Sequence, residues 1–251
     1  MDPSSRSQHL SRISTLWSLV RQAHRSAGTK AVPAQRQMID RYGGAVRRYL
    51  QAAVGNPDAA DELFQEFAVR FLHGKLDGAD AARGRFRDFV KGVLFHLIAD
   101  YHKRLRKRPM ALPQNHPDLE VGPPTLSDPD REFLASWRDD LLARTWAALN
   151  EIERQSGQPF YTVLRFRADH AQMQSPRMAE ELSVPLGKPL TPAGVRQILH
   201  RAREKFADLL LDEVAQSLED PSDEQLRDEL ENLSLLDYCR PALERKVKGE
   251  G

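Results

Sequence analysis

Apolar residues recur with the period of an α-helix in nearly every patterned segment of this chain, and no alternating strand pattern persists. The clearest segment, RGRFRDFVKGVLFHLIADYHKRLRKRP, has apolar residues at i, i+3, i+4 and i+7 and predicts one long amphipathic helix that Pro109 ends. Further helix starts are predicted where a capping residue precedes a proline, at Asn56-Pro57, Asp128-Pro129, Ser175-Pro176 and Thr191-Pro192. The pattern as a whole predicts an all-α fold.

A proline-rich segment divides the predicted helices into two groups. Residues 109–130 contain six prolines and no Phe, Trp or Tyr, which is typical of an extended connector between domains. The predicted organisation is a partly helical N-terminal extension over 1–30, a helical domain over 31–108, the linker over 109–130, a second helical domain over 131–211 and an acidic, helical C-terminal extension over 212–251.

The composition excludes several classes of protein. No run of eighteen apolar residues exists, so we expect no membrane span and no membrane partner, and the first residues lack the apolar core of a signal peptide. The single cysteine, Cys239, excludes an intrachain disulfide and a cysteine-based metal framework. These features favour a cytoplasmic protein, and we predict no metal and no other cofactor.

The net charge of +1 conceals a basic and an acidic region. Residues 70–108 contain eleven Lys and Arg against four Asp and Glu, whereas residues 212–237 contain ten Asp and Glu against one Arg. This asymmetry indicates a polyanionic partner.

The segment LTPAGVRQILHRAREKF predicts a helix with an apolar stripe on one side and basic residues on the other. A short helix, SPRMAEEL, precedes it, and a basic second helix with a free N-terminus is the helix-turn-helix arrangement that reads the major groove. A solvated basic helix surface is the other interpretation, and this segment alone does not separate the two. The candidate DNA-contacting residues are Lys188, Thr191, Arg196, Gln197, His200, Arg201 and Arg203.

Two further segments carry candidate interaction residues. In HKRLRKRP, five Lys and Arg fall between Lys103 and Arg108; they suit either the dipole of a helix C-terminus or a nucleic-acid phosphate chain. The candidate nucleic-acid residues there are His96, Asp100, Tyr101, Lys103, Arg104, Arg106, Lys107 and Arg108. In NPDAADELFQEF, an acidic stripe is either plain solvent surface or a docking site for a basic partner, and it consists of Asp58, Asp61, Glu62, Gln65 and Glu66. We find no nucleophile-base set or phosphate-binding glycine loop, so no catalytic residue and no enzyme activity are predicted.

These three segments, in this order, resemble the extracytoplasmic-function sigma factors of bacterial RNA polymerase. DAADELFQEFAVRFL resembles the core-binding helix of the family's second conserved region, and FRDFVKGVLFHLIADYHKR resembles the next helix, which melts and reads the −10 promoter element. TPAGVRQILHRAREKF resembles the −35 recognition helix of the fourth region. The resemblance spans about Ala31 to Leu211, and RYGGAVRRYL and HLSRISTLWSLVRQAH are similar to a planctomycete-type subgroup.

The resemblance implies a transcription initiation factor with a region 2-like helical bundle and a region 4-like helix-turn-helix domain. The acidic residues of DAADELFQEF would bind the clamp helices of the largest polymerase subunit, and the second domain would bind the polymerase flap. The basic helix ending at Arg108 would take the −10 element, and the residues from Lys188 to Arg203 would take the −35 element. An anti-sigma factor or a regulatory kinase is a further candidate partner. The alternative function is a stand-alone helix-turn-helix transcription regulator.

The chain departs from the family pattern in three places. Phe95-His96 stands where members often carry Arg-Asn. SVPLGKPL stands where a short glycine-containing turn is usual, and two consequences stay open: the longer turn shifts the recognition helix, or it adds Lys188 as a phosphate contact. The last forty residues have no counterpart in a minimal member. Two hypotheses for them stay open: the acidic residues fold back over Arg196 to Arg203 and mask them, or the extension is an extra helix packed on the second domain.

Overall fold

The computed structural model describes residues 31–72, 85–107, 129–218 and 221–249, and all regular secondary structure in these ranges is α-helical. The predicted all-α class is confirmed for this part of the chain. The predicted N-terminal extension over 1–30 and the linker up to residue 128 lie outside the described residues. The helices are α1 (Ala31–Val54), α2 (Pro57–Leu72), α3 (Phe86–Lys107), α4 (Pro129–Ser156), α5 (Phe160–Asp169), α6 (Ser175–Ser183), α7 (Pro192–Ala215), α8 (Asp223–Asn232) and α9 (Leu236–Gly249).

Helices α1, α2 and α3 pack against one another and, with the first turns of α4, form the first of two compact units. Their apolar stripes meet in an aromatic core, in which Tyr42 and Trp137 stack nearly parallel with ring centroids 4.6 Å apart. Phe86 lies against both rings. Aromatic side chains bury the largest apolar areas available to a core, and offset stacking adds to that burial. The largest fully buried side chains of this unit are Leu50, Leu63, Phe71, Phe86, Leu94, Leu97, Phe133 and Trp137.

The glycine pair in RYGGAVRRYL marks two close approaches to α1. A Cβ atom on Gly43 would lie 3.1 Å from Cζ of Phe64 on α2, and one on Gly44 would lie 2.9 Å from Oδ1 of Asp140 on α4. That same oxygen accepts a hydrogen bond of 3.0 Å from Arg48. Glycine in a helix interior costs roughly 0.5–1 kcal/mol relative to alanine, and here the missing side chains let α2 and α4 approach α1.

Local capping explains where α1 ends and where α2 and α7 begin. Gly55 adopts φ of 65°, a left-handed conformation that glycine accepts without strain, and it ends α1. The Asn56 side chain then accepts a hydrogen bond from the Ala59 amide at 3.0 Å, with Pro57 as the first residue of α2. Thr191 caps α7 in the same way, accepting from the Gly194 amide at 3.0 Å. The predicted starts at Asn56-Pro57 and Thr191-Pro192 are confirmed, whereas Asp128 lies outside the described residues.

The second unit comprises Leu141–Ala215 and Pro221–Gly251, and α7 lies at its centre. Helices α5, α6, α8 and α9 all contact α7. Phe206 of α7 is buried against Trp146 of α4, with ring centroids 4.6 Å apart. One long apolar face on α7 therefore organises this unit.

The unit boundaries differ from the predicted domain boundaries in two respects. The division falls after Asp140, inside the uninterrupted helix α4, rather than at the end of the proline-rich segment. Helix α7 runs on to Ala215, and α8 and α9 belong to the same unit as α7 instead of forming a separate extension. No local sequence pattern indicates either feature, because a helix can pass from one core to another without a change in its backbone.

The thiol of Cys239 on α9 is fully buried, and burial raises its pKa to about 12, with Asp208 adding to the rise. We therefore predict that the native protein resists alkylation by iodoacetamide at about pH 8, because the reactive species is the thiolate. Unfolding in urea should restore the ordinary reactivity of a thiol. Alkylation of the native chain at the rate of the urea-unfolded chain would contradict the burial of α9 against α7.

The same shift predicts a loss of stability at high pH. Because the folded-state pKa exceeds the ordinary value of 9.0, burial of the neutral thiol favours the folded state fully below pH 9. That contribution is lost as the pH rises from 9 to about 12. The free energy of unfolding of the wild type should fall more steeply across this window than that of Cys239→Ala. Burial also raises the pKa of Tyr238 to about 12, so both proteins retain some loss, and equal slopes would contradict the prediction.

Candidate functional site

The acidic face of α2, defined as Asp58, Asp61, Glu62, Gln65 and Glu66, lies opposite a buried stripe of Leu63, Phe67 and Phe71. Four of its five side chains are exposed, and Glu66 is half-buried. The helical period that turns the apolar residues inward turns these polar residues outward. The predicted residues therefore share one surface.

Two members of the acidic face are already engaged in ion pairs. Asp61 lies 3.3 Å from Arg47 of α1, whose guanidinium also lies 4.4 Å above the Phe64 ring. Glu66 pairs with Arg70 on its own helix and, at 3.3 Å, with Arg104 of α3. Glu66 thus ties α2 to α3, and Glu62 is left as an exposed carboxylate with no ion pair among the described residues.

The predicted nucleic-acid residues of α3 divide between its surface and its half-buried flank. His96, Asp100, Lys103, Arg104 and Arg106 are exposed, whereas Tyr101 is half-buried. The Lys107 side chain and Arg108 lie outside the described residues. A shallow cleft joins this surface to the acidic face, and its lining residues are Glu66, Arg70, Asp100, Lys103 and Arg104.

Phe95 of α3 is a surface residue that the sequence prediction did not include. It is 61% exposed, and its ring meets that of His96 edge-on at 6.1 Å. The signal was present, because Phe95 follows Leu94 directly and so falls outside the buried stripe of Val90, Leu94 and Leu97. An exposed aromatic ring on a helix that also carries the exposed Lys103 and Arg106 offers a stacking surface to an unpaired base.

The basic face of α7, defined as Arg196, Gln197, His200, Arg201 and Arg203, is exposed at all five positions. The opposite side of the same turns is buried and consists of Val195, Ile198, Leu199, Ala202 and Phe206. Arg196 and Arg203 form no ion pair with any described residue. His200 lies 3.2 Å from Glu204, and the Arg201 guanidinium lies 6.0 Å from the Phe160 ring.

The long turn before α7 is held by Ser183, the last residue of α6. The Ser183 hydroxyl donates to the Ala179 carbonyl and accepts from the Leu190 amide at 2.9 Å. Gly187 adopts φ of 62°, which directs the chain back toward α7. Lys188 is exposed beside it, whereas the Thr191 hydroxyl is used as the cap of α7. The predicted contact by Lys188 is therefore sterically open, and the role of Thr191 in this structure is to begin the helix.

The described extension leaves the basic face uncovered. Helices α8 and α9 pack on α7, and no acidic residue of 212–237 pairs with the arginines of the basic face within the described residues. Glu213 instead pairs with Arg144 of α4 at 2.9 Å, and Glu229 is buried. This arrangement corresponds to the packing hypothesis rather than to masking.

Comparison of the chain with protein-family models, curated proteins and solved structures finds no match. None of the described helices has both the length and the apolar character needed to cross a membrane. Within the described ranges, no three His, Cys, Asp or Glu side chains are grouped so that they could hold a metal ion. Proposals about function therefore depend on the surfaces described above.

Arg167 of α5 holds the turn that leads into α6, because its guanidinium donates to the backbone carbonyls of Ala171, at 3.2 Å, and of Met173. We predict that Arg167→Ala lowers the free energy of unfolding by roughly 1–3 kcal/mol, since two charge-assisted bonds are lost, an exposed one to Ala171 and a half-buried one to Met173. Urea denaturation followed by circular dichroism measures this change.

Arg165 on the same helix is the matched control. Its ion pair with Asp169 is about half exposed on both sides, and its guanidinium also lies 5.5 Å from the centroid of the Trp146 ring. Because Arg165 is exposed, these contacts contribute about 1 kcal/mol or less, so Arg165→Ala should have the smaller effect on stability. Equal effects of the two substitutions would remove the special role of Arg167 in positioning α6.

Proposed function

We propose that this protein is a sigma factor of the extracytoplasmic-function type, which binds core RNA polymerase and directs transcription initiation at promoters with −10 and −35 elements. It has no catalytic role of its own in this proposal and acts in the cytoplasm. The observation that carries the proposal is the basic face of α7, which is exposed at all five positions in a unit whose core is built on the opposite face of that helix. The acidic face of α2 and the basic end of α3 supply the remaining contacts.

The basic face of α7 suits a DNA major groove. Helix α6 packs on α7 and precedes it through an ordered turn, as the first helix of a helix-turn-helix does. Arg196 and Gln197 stand in the first turns of α7, which begins at Pro192. Arginine and glutamine at that position can donate to base edges, and Lys188 in the turn can neutralise a phosphate.

The exposed side of α3 suits a melted −10 element. Lys103 and Arg106 can neutralise phosphates of a single strand, and Phe95 offers a ring for an unpaired base. A double-stranded site would need no exposed aromatic surface, so Phe95 favours single-stranded DNA at this helix.

The acidic face of α2 suits a basic surface on the polymerase. Exposed carboxylates opposite lysine and arginine mainly improve orientation and association rate. Two weak promoter contacts and a polymerase contact on one chain gain strength from their high effective concentration. An anti-sigma factor or a kinase as a regulator stays a prediction.

The alternative proposal is a stand-alone helix-turn-helix regulator. The observation in its favour is that the second unit has its own core around α7, built from Val163, Met178, Leu199 and Phe206 among others. Such a regulator would bind a specific duplex tightly without polymerase. The acidic face and the basic end of α3 would then have no assigned task, so we prefer the sigma factor.

Core binding is tested with Glu62→Lys. We predict that the wild-type chain co-purifies with core RNA polymerase and that Glu62→Lys weakens this association by roughly tenfold or more, because a cation then faces a basic partner. Glu62 is preferable to Asp61, since a lysine at Asp61 would lie against Arg47 and disturb α1. Surface immobilisation of core polymerase and titration of each variant gives the affinities.

The matched control is Glu224→Lys, the same charge reversal at an exposed site on α8 of the second unit. Its affinity for core should equal that of the wild type. Absence of core binding by the wild type would overturn the sigma-factor proposal, whereas equal binding by Glu62→Lys would remove only the acidic face from the interface.

Promoter reading is tested with Arg196→Ala in holoenzyme on a library of −35 sequences. We predict a loss of roughly 1–3 kcal/mol that is confined to one base position, because a bidentate arginine contact discriminates one base pair. Arg154→Ala, which changes an exposed arginine of α4, should leave the selectivity unchanged. A uniform loss over all sequences would instead assign Arg196 to a phosphate.

A further inference from the structure

The C-terminal extension, which was predicted to be acidic, contains two helices of opposite charge. Helix α8, DEQLRDELEN, has five acidic residues and one arginine, whereas α9, LDYCRPALERKVKG, has four basic residues and two acidic ones. Helix α9 buries Cys239, Ala242 and Leu243 in the packing with α7. A net-positive helix therefore lies beside α7.

One side of α7 carries a row of four residues that is basic in its first half and acidic in its second half. Arg196, His200, Glu204 and Asp208 follow one another at intervals of four residues and so share one side of the helix. The first two lie on the basic face, and the last two are carboxylates. Glu204 is separated from Arg196 by about 12 Å of helix rise, which is close to the Debye length of about 10 Å at moderate salt. Unneutralised, the two carboxylates would repel the phosphates of any DNA bound at the basic face.

Arg245 of α9 lies against both carboxylates. One of its terminal nitrogens is 2.7 Å from Oδ1 of Asp208, and the other is 3.6 Å from Oε1 of Glu204. The second oxygen of Glu204 lies 3.2 Å from Nδ1 of His200, a member of the basic face. Tyr238 of α9 meets Phe206 of α7 edge-on at 5.7 Å. This aromatic contact also holds α9 against α7.

We infer that Arg245 is a positioning residue for DNA binding: it neutralises the acidic half of the row on α7, so that the C-terminal extension promotes DNA binding instead of masking it. This inference rests on the proposed DNA-binding role of α7. The guanidinium offsets carboxylates that would otherwise lower the positive potential at the basic face, and it holds Glu204 where that residue meets His200. The effect acts through charge and therefore weakens as salt rises.

The experiment measures fluorescence anisotropy of a labelled, mixed-sequence DNA duplex of about 30 base pairs with the full-length chain. At about 50 mM salt we expect Arg245→Ala to bind about three- to tenfold more weakly than the wild type, and we expect the difference to shrink at about 300 mM salt. Arg245→Lys should retain most of the affinity. Arg240→Ala is the matched control, because Arg240 is similarly exposed on α9 and its one ion pair among the described residues is with Asp237 of its own helix.

Asp208→Asn separates the charge effect from a merely structural one. If Arg245 only fastens α9, then removing its Asp208 partner should weaken DNA binding as Arg245→Ala does. The inference predicts the opposite sign, because Asp208→Asn deletes a repulsive charge and should bind as tightly as the wild type or about two- to threefold more tightly. Circular dichroism melting of each variant identifies any loss of folding. If Arg245→Ala does not fold, the DNA affinities of Arg245→Lys and Asp208→Asn are compared with that of the wild type instead.

The outcomes separate the DNA-binding role of α7 from the role of Arg245. Tighter binding by Arg245→Ala would establish masking and overturn the inference, as would equal binding by Arg245→Ala and Arg240→Ala. Weaker binding by Asp208→Asn would also overturn it and leave Arg245 a fastening residue. If the wild type does not bind the duplex at about 50 mM salt, the result contradicts the proposed DNA-binding role of α7. The inference about Arg245, which depends on that role, is then also wrong.

Discussion

The second unit depends on one constraint, which is that α7 must bury a continuous apolar face along its whole length. Helices α4, α5, α6, α8 and α9 all contact α7, and Phe206 at its middle meets Trp146 of α4 and Tyr238 of α9. Because a helix has 3.6 residues per turn, burying one side of α7 directs the side chains of the other side toward solvent. The exposure of Arg196 and Arg203 follows directly from the burial of Val195 and Ala202. The core that stabilises the unit is thus also what presents its candidate DNA-binding surface.

In the first unit, aromatic packing and surface electrostatics are linked through the same helices. The Tyr42–Trp137 stack and the two close approaches at Gly43 and Gly44 bring α2 and α4 against α1. That packing places Glu66 of α2 within reach of Arg104 of α3. The acidic and basic candidate sites of this unit therefore share an ion pair. Exposed pairs of this kind contribute little stability, so their main consequence is for the charge that each surface presents to a partner.

The C-terminal extension shows why charge counted along a sequence does not describe charge in space. The ten acidic residues of 212–237 suggested one negative segment facing the basic helix. In the fold, Glu213 pairs with Arg144, Glu229 is buried, and the helix that follows is net positive. Glu204 of α7 itself lies 3.2 Å from His200 of the basic face, and Asp208 follows four residues later on the same helix. Their neutralising partner, Arg245, comes from a position 37 residues beyond Asp208.

The sequence by itself determined the all-α class, the positions of most described helices, the capped starts of α2 and α7, and which residues of α2 and α7 face outward. These features are local, because helical period and capping depend on residues within one or two turns of each other. Only the tertiary structure decided that α4 runs through the division between units, that α8 and α9 belong with α7, and that Asp61, Glu66 and Glu204 have basic partners. These features depend on contacts between residues far apart in the chain, and no local pattern encodes which of several apolar or charged neighbours will finally meet.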